Sequence, residues 1–431
     1  CGFVISKSDQ LALERVPDQR DRRGRRWELP PLLRACLLGL MTGQKSFADV
    51  ERLTDNTSKV MRRRLGITRR VPDTTLRDAV ATLEPSHIFP VLHRAIRSAV
   101  RSKSLSVDFG LPFGFIAMDG KYVSVPAVDD QYSKLQTQDG DKGRLNGRIG
   151  TMTVVLASSE ARPCLEMRPI PAATNEMGAF ARTLDGVLEA YGHLDLFRLV
   201  SYDAGACSKV NADHIRGKNL HYLFSLKGSQ PSLLQAASLW LGQIPVELAD
   251  GVDVSGTGLQ QVTRRIFLRQ ASAPPEGWEH LRTVIRVDSD GFDRLGKPTH
   301  ETYYFLSSLP IDRLTPKQWL TMIRRHWAVE NTHQVLDVSF EEDDHPWVKE
   351  NPRLTMVLMI LRRIAYTLLS IFRSVTQRSD ERRNEPWKDL FRRLYEALLV
   401  GTAESLIGLR RRLTNIHTVP PMILAMTVAQ G

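Results

Sequence analysis

Between Gly114 and Gly228 the sequence changes its hydrophobic period repeatedly, and the order of those changes constrains the fold more than any other feature. Three β-like runs, "GFIAMD", "GTMTVVLAS" and "CLEMRPIP", precede a helically spaced run, "NEMGAFARTLDGVLEAYG". The strand "LFRLVSYD", the helix "SKVNADHIRGK" and the strand "LHYLFSLKG" follow. Short β-branched and aromatic runs bounded by turn residues read as strands, and longer i, i+3, i+4 spacing reads as helix. Two apolar runs end on a carboxylate, Asp119 and Asp203. A carboxylate where a buried strand emerges stands on a rigid element at the carboxyl edge of a sheet, where α/β sites form.

Three strands, a helix, a strand, a helix and a strand is the order of an RNase H-like (retroviral-integrase-like) α/β domain. That reading is a comparison of fold patterns. In such a sheet the first and fourth strands are neighbours, so Asp119 and Asp203 would converge. The flanking texture divides the rest of the chain. Residues 1–110 read as a helical region and 111–230 as the first part of the catalytic domain. Residues 231–305 read as a β-rich insertion, and 306–376 as the second part of the catalytic domain. A basic helical region, 377–431, closes the chain.

The third carboxylate lies in "RRHWAVENTHQVLDVSF" (Arg324 to Phe340). Read as one amphipathic helix, this segment places Glu330 on the stripe of Ile323 and Trp327. His326 falls one turn earlier, and Gln334 and Asp337 one and two turns later. Three converging carboxylates suit phosphodiester chemistry. Breaking that bond needs a deprotonated water or hydroxyl in line with the leaving oxygen, and two Mg²⁺ ions about 3.5–4 Å apart stabilise both. Mg²⁺ prefers hard oxygen ligands, so two Asp and a Glu suit it without cysteine. Each residue also has an ordinary reading. An Asp after a strand is commonly a turn former, and a Glu beside an apolar stripe commonly buries its stem and keeps its head in water.

Charge narrows the class of partner. Lys plus Arg number 59 against 48 Asp plus Glu, a net +11. Such an excess on a globular chain points to a polyanion, with nucleic acid ahead of a membrane surface. The segment "KVMRRRLGITRRV" concentrates Arg62, Arg63, Arg64, Arg69 and Arg70 between short helices. It reads either as a helix-turn-helix-like DNA reader or as a solvated basic face. The longest apolar stretch, Leu354 to Phe372, is interrupted by Arg362 and Arg363, so it reads as a buried core helix with no membrane role. Cys1, Cys36, Cys164 and Cys207 form no metal-ligand or disulfide pattern, as expected in a reducing compartment. The chain opens on Cys instead of Met, and residues are expected ahead of it.

At these positions the sequence resembles a family. "IAMDGK", "SYDAGACSKVNADHI" with "LHYLFSLKGSQ", and "IRRHWAVENTHQVLDVSFEEDD" together resemble the DDE transposases of bacterial insertion sequences, in the branch that includes the H-repeat-associated proteins. "TNEMGAF" and "YYFLSSL" are similar to the same branch. The resemblance runs from about Phe115 to the Leu354–Phe372 helix. It implies a catalytic triad of Asp119, Asp203 and Glu330 that holds Mg²⁺, with Mn²⁺ as substitute. The intervals are 84 and 127 residues, the longer one consistent with the β-strand insertion such transposases carry before the Glu helix. It further implies double-stranded DNA as partner, with Arg325, His326, Trp327 and Asn331 at the transposon end and Lys227 on its backbone. A homodimer on DNA and a bacterial cytoplasmic, nucleoid-associated location also follow from it. Related transposases often carry a lysine seven residues after the Glu, where this chain has Asp337.

Other readings use the same residues. A domesticated relative would bind DNA without cutting it, and an RNase H-like nuclease would cut without joining. A zinc hydrolase built on His326, Glu330 and His333 lacks the HExxH spacing. A nucleophilic Cys207 lacks a histidine partner.

Overall fold

The strand Phe115–Pro126 (β1) explains its own sequence. Its first four residues are buried on both faces and form a continuous apolar run, as in the interior of a parallel sheet. From Lys121 onward buried and exposed residues alternate. The change coincides with a change of neighbours. The parallel partner Leu199–Tyr202 (β5) pairs only with Phe115–Met118. The antiparallel partner Leu145–Leu156 (β3) continues to Pro126. The structure, a computed structural model, describes residues 9–402 apart from 129, 138–144, 229, 272 and 378. The segment "SLIGLRRRL" of the expected basic C-terminal region lies outside the described residues.

Around β1 and β3 the sheet adds Lys134–Thr137 (β2), Cys164–Ile170 (β4) and His221–Leu226 (β6). The insertion contributes Gly251–Ser255 (β7), Val262–Gln270 (β8), Thr283–Phe292 (β9) and Pro298–Ser307 (β10). The order is β2-β3-β1-β5-β6-β10-β9-β8-β7, with β4 also on β3. The first and fourth long strands of the sequence pattern, β1 and β5, are therefore neighbours. The segment read from the sequence as an insertion does not form a separate layer. β10 pairs antiparallel with β6 from Tyr304↔Leu226 to Ser307↔Leu223, so its strands extend the same sheet.

Helices cover both faces. Glu176–Tyr191 (α6), capped by the Asn175 side chain, and Lys209–Gly217 (α7), capped by Ser208, form the crossovers on one face. Phe180, Leu184, Val187 and Ile215 pack there with Met118, Val200, Tyr202 and Tyr222. On the other face Pro316–His326 (α9) and Ala328–Val338 (α10) bury Trp319, Ile323 and Val329 against Ala117, Leu199 and Phe305. Between α6/α7 and α9 lies Pro231–Leu241 (α8).

The segment read as a single helix is two. α9 ends at His326, and Trp327 (φ −73°, ψ 7°) is at once its C-cap and the N-cap of α10. The break rotates the second half. Val329, Thr332, His333 and Leu336 are buried, while Glu330 and Gln334 face outward. Glu330 thus does not share a buried stripe with Ile323. It stands at the edge of the helix, beside the sheet.

The N-terminal helices Leu29–Met41 (α1), Phe47–Asn56 (α2), Lys59–Arg64 (α3), Asp73–Ala81 (α4) and Pro85–Arg101 (α5) precede the sheet. Pro352–Ile371 (α11), Asp380–Arg383 (α12) and Trp387–Val400 (α13) follow it. Leu32, Cys36, Val50 and Leu92 share one core with Met356, Leu361, Ile364 and Phe391. α11 is long and apolar enough to cross a membrane, but it is wholly buried within the protein.

Candidate active site

Side-chain alternation along β1 sorts its residues between the two layers. Met118 packs into the α6 side. A Cβ on Gly120 would collide with the carboxylate of Glu176, so glycine lets the N-terminus of α6 close over this point. Asp119 and Lys121 face α10. The His333 Nδ1 lies 3.1 Å from Asp119 Oδ2, and Lys121 is ion-paired with Asp337. Two residues along a strand span about 6.8 Å and four along a helix about 6 Å, so β1 and α10 meet at successive rungs.

Asp203 directly follows β5 and caps a short 3₁₀ turn, with the Gly205 N–H donating to its Oδ1 at 2.8 Å. Met118 pairs with Tyr202, so Asp119 and Asp203 lie side by side one strand spacing apart, about 4.8 Å. Glu330 lies in the first turn of α10. Burial and then the negative charges of Asp119 and Asp203 raise its carboxyl above the usual range, and Lys227 opposes the rise. Glu176, from the other layer, is raised by burial and by the same two aspartates. Two glutamates from opposite layers therefore both feel the charges of Asp119 and Asp203. Asp119, Asp203 and Glu330 do not, however, bring three oxygens within 4.8 Å of one another. Among the described residues only Asp337, Glu342 and Asp343 do that. The Lys121 ammonium already stands among those three, 3.0 Å from Glu342 and 3.3 Å from Asp343. A site for two ions about 3.5–4 Å apart needs a wider spread of oxygens than one ion's shell.

His326 is buried, with Nδ1 2.6 Å from the Ser201 hydroxyl on β5. Burial first, with Lys227 adding and Asp119 opposing, pushes its imidazole down to about 4, so it is neutral at pH 7. Arg325 also turns inward. Its Nε and Nη2 donate to the carbonyls of Ala157 and Ser159 at 2.7 and 3.0 Å, and its guanidinium lies 3.7 Å from the Phe109 ring centroid. Trp327 is half-buried, edge-on to Tyr303 at 6.2 Å. Asn331 and Lys227 are exposed. In the N-terminal group Arg63 and Arg64 are exposed. Arg62 reaches the Thr54 carbonyl, Arg69 stacks on Trp27, and Arg70 pairs with Glu51.

Sequence reasoning did not single out Glu176, His333 as a partner of Asp119, or Lys121. The signal for Glu176 was its place in "TNEMGAF". His333 is one turn after Glu330, and Lys121 two residues after Asp119, but only the strand–helix register discloses their partners.

These positions fall in a known family. The family model described as "Transposase DDE domain" matches residues 112–368, more than half of the chain. One described as "DDE_Tnp_1-associated" matches residues 11–94. The chain belongs to the DDE transposase family of insertion sequences. It is similar to the "H repeat-associated putative transposase YhhI" of Escherichia coli (strain K12), 23% identical over 76% of this chain and 82% of that protein. The "Putative protein YbfL" of the same strain shows the same identity and coverage. The "Putative transposase YncI" of Escherichia coli O157:H7 is 26% identical over 47% of this chain and 52% of that protein.

Proposed function

We propose that the protein is a DNA transposase that cuts the ends of its insertion sequence and joins the 3′-hydroxyls to target DNA. The observation that carries this reading is the convergence of charge from Asp119, Asp203 and Glu330 at the edge of the central sheet. The donor set fits a divalent metal, since hard carboxylate oxygens suit Mg²⁺, with Mn²⁺ as substitute. Burial and then the charges of Asp119 and Asp203 raise Glu330, and a cation among the three would oppose both effects. Bound there, such ions would supply positive charge at the attacking and leaving oxygens.

The chain's own residues prepare that site. His333 holds one oxygen of Asp119 and leaves the other free. The Gly205 N–H donates to one oxygen of Asp203 and fixes its direction. Glu330 closes the group from α10, and Glu176 is a fourth candidate ligand or proton carrier. Neutral His326 and inward-facing Arg325 position α9 against the sheet, so they serve as supports and not as strand contacts. Lys227, Trp327 and Asn331 remain available to the transposon end, and Arg63 and Arg64 lead the basic N-terminal group, whose other members are Arg62, Arg69 and Arg70. Double-stranded DNA held by two copies of the chain, in the bacterial cytoplasm and nucleoid, completes the reading. The regions bounded near 110, 230, 305 and 376 are its proposed organisation.

The test is strand cleavage and joining on labelled DNA carrying the element's own ends, in Mg²⁺, Mn²⁺ or EDTA. The parent should give metal-dependent joined products, and Asp119→Asn, Asp203→Asn or Glu330→Gln should abolish them. Cleavage without joining would favour a nuclease, and specific binding with no cleavage in any metal would favour a silent DNA-binding relative.

A further inference from the structure

A cavity of about 230 Å³ lies on the flank of α10, between the end of α11, α12 and the turn that follows β3. Arg162, Arg373 and Arg383 line it, with the amides of Asn331 and Gln334 and the hydroxyl of Tyr366. Its one acidic lining residue, Glu160, is half exposed and 3.8 Å from Arg383. Arg383 also lies 4.0 Å from the exposed Asp380, and the remaining bonds of Arg373 and Arg383 are to carbonyls. Arg373 donates to the carbonyls of Arg383 and Glu385, and the Arg383 Nε to the carbonyl of Gln377. The Arg162 guanidinium has no hydrogen bond or ion pair among the described residues. Burial first and then the Arg162 charge push both Arg325 and Arg373 downward, with Asp108 and Glu160 opposing at Arg325 and Glu385 at Arg373, so positive charge is concentrated around the cavity.

Arg162 is also held in place. Its φ is 46°, a left-handed conformation costly for a residue with a Cβ. The turn fixes it from both sides: its N–H donates to the Ser159 carbonyl at 3.1 Å, and its own carbonyl accepts from the Tyr366 hydroxyl at 3.2 Å. A strained backbone that aims an unpaired guanidinium into a cavity suggests a purpose there. Planar guanidiniums in a partly desolvated site match the oxygens of a phosphate or a carboxylate, and on a chain of net charge +11 the phosphates of nucleic acid are the polyanion to expect. The volume, about that of seven or eight waters, has room for a phosphodiester group and some of its hydration.

Position decides which phosphate. Asn331 adjoins Glu330, and Gln334 lies one helical turn beyond it, a rise of about 6 Å. The cavity therefore begins within one or two nucleotides of the carboxylate group. We propose that it binds a backbone phosphodiester of the DNA strand that leaves the carboxylates along α10, with Arg162 as the principal contact. This rests on the reading of the protein as a DNA-cutting enzyme.

The experiment is DNA binding across a salt series, read by anisotropy of a labelled 20-nucleotide strand and its duplex. Phosphate contacts are indifferent to sequence, so an arbitrary one serves. Arg162→Gln should weaken binding several-fold near 0.1 M salt and make the plot of log K against log salt shallower by about 0.7–0.9. Ser374→Glu, which places a carboxylate in the cavity from the opposite wall, should weaken it as well. Arg198→Gln, an exposed arginine paired with Asp195 elsewhere, should match the parent. Thermal melts verify that each variant is folded, and either cavity variant suffices. Parent-like affinity and slope in the folded cavity variants would overturn the proposal, as would a parent that binds neither DNA. So would inorganic pyrophosphate that raises the melting temperature through Arg162 while DNA binding ignores that residue, since the cavity would then take small anions only. A parent that binds DNA but does not cleave it in any metal would count against the transposase reading, while the comparison of binding between parent and cavity variants would still decide this proposal.

Discussion

Glu342 shows at the scale of one residue how the site is braced. It is fully buried, paired with Arg363 of α11 and 3.0 Å from Lys121 of β1. Burial alone would raise its carboxyl, but Arg363, Lys121 and Arg362 overcome that and hold it down at about 2. A carboxyl depressed on folding contributes stability that is present above its unfolded value near 4.5 and is lost as pH falls toward 2. Urea unfolding should therefore show stability dropping steeply below pH 4.5. Glu342→Gln should cost about 3–5 kcal/mol at pH 7, because it strands buried cations, and should flatten part of that acid slope. An unchanged midpoint would mean that the pair adds nothing. Lys121 itself ties β1 to α10 through Asp337, one rung beyond the Asp119–His333 contact. None of these pairings is legible in the sequence, where Lys121 and Asp337 stand more than two hundred residues apart. They depend on a strand–helix register that only the packed protein fixes.

At the scale of elements, the strands and crossover helices around β1 and β5 are legible because each buries a face with its own period. The break at Trp327 is not. Both halves keep helical spacing, and with neither Gly nor Pro at the junction no residue there announces a stop. The insertion misleads in another way, since strands advertise their pattern but not their partner. β10 pairs with β6, and Phe267, Trp278, Leu281 and Val284 share a core with Tyr222 and Phe224. Replacing residues 243–297 with a short Gly-Ser linker should therefore expose the β10 edge that β9 covers, strip Phe267, Trp278, Leu281 and Val284 from the shared core, and remove the cooperative thermal transition of the whole protein. A sharp melt near the parent's temperature would show that the insertion is an independent appendage.

Across the whole molecule, the N-terminal helices and the helices after the sheet form one core, with α11 buried between them. The sequence marks the helical texture of residues 1–110 but not this dependence, because apolar spacing shows which face is buried and not what covers it. A chain beginning at residue 112 would expose the apolar side of α11. It should aggregate or melt without cooperativity, whereas a soluble, cooperatively folded fragment would make the N-terminal region a dispensable module.

Asp119, Asp203 and Glu330 come from three separate elements, and we propose that together they hold divalent cations. The most direct measurement is Mn²⁺ titration of the metal-free protein, followed by the loss of the free-ion paramagnetic resonance signal, which needs no knowledge of the DNA ends. Binding should weaken at least about tenfold, about 1.4 kcal/mol, in Asp119→Asn, Asp203→Asn or Glu330→Gln and persist in Asp343→Asn. Parent-like binding in Glu330→Gln, with binding lost in Asp343→Asn, would place the ion among the carboxylates around Lys121 and contradict the account.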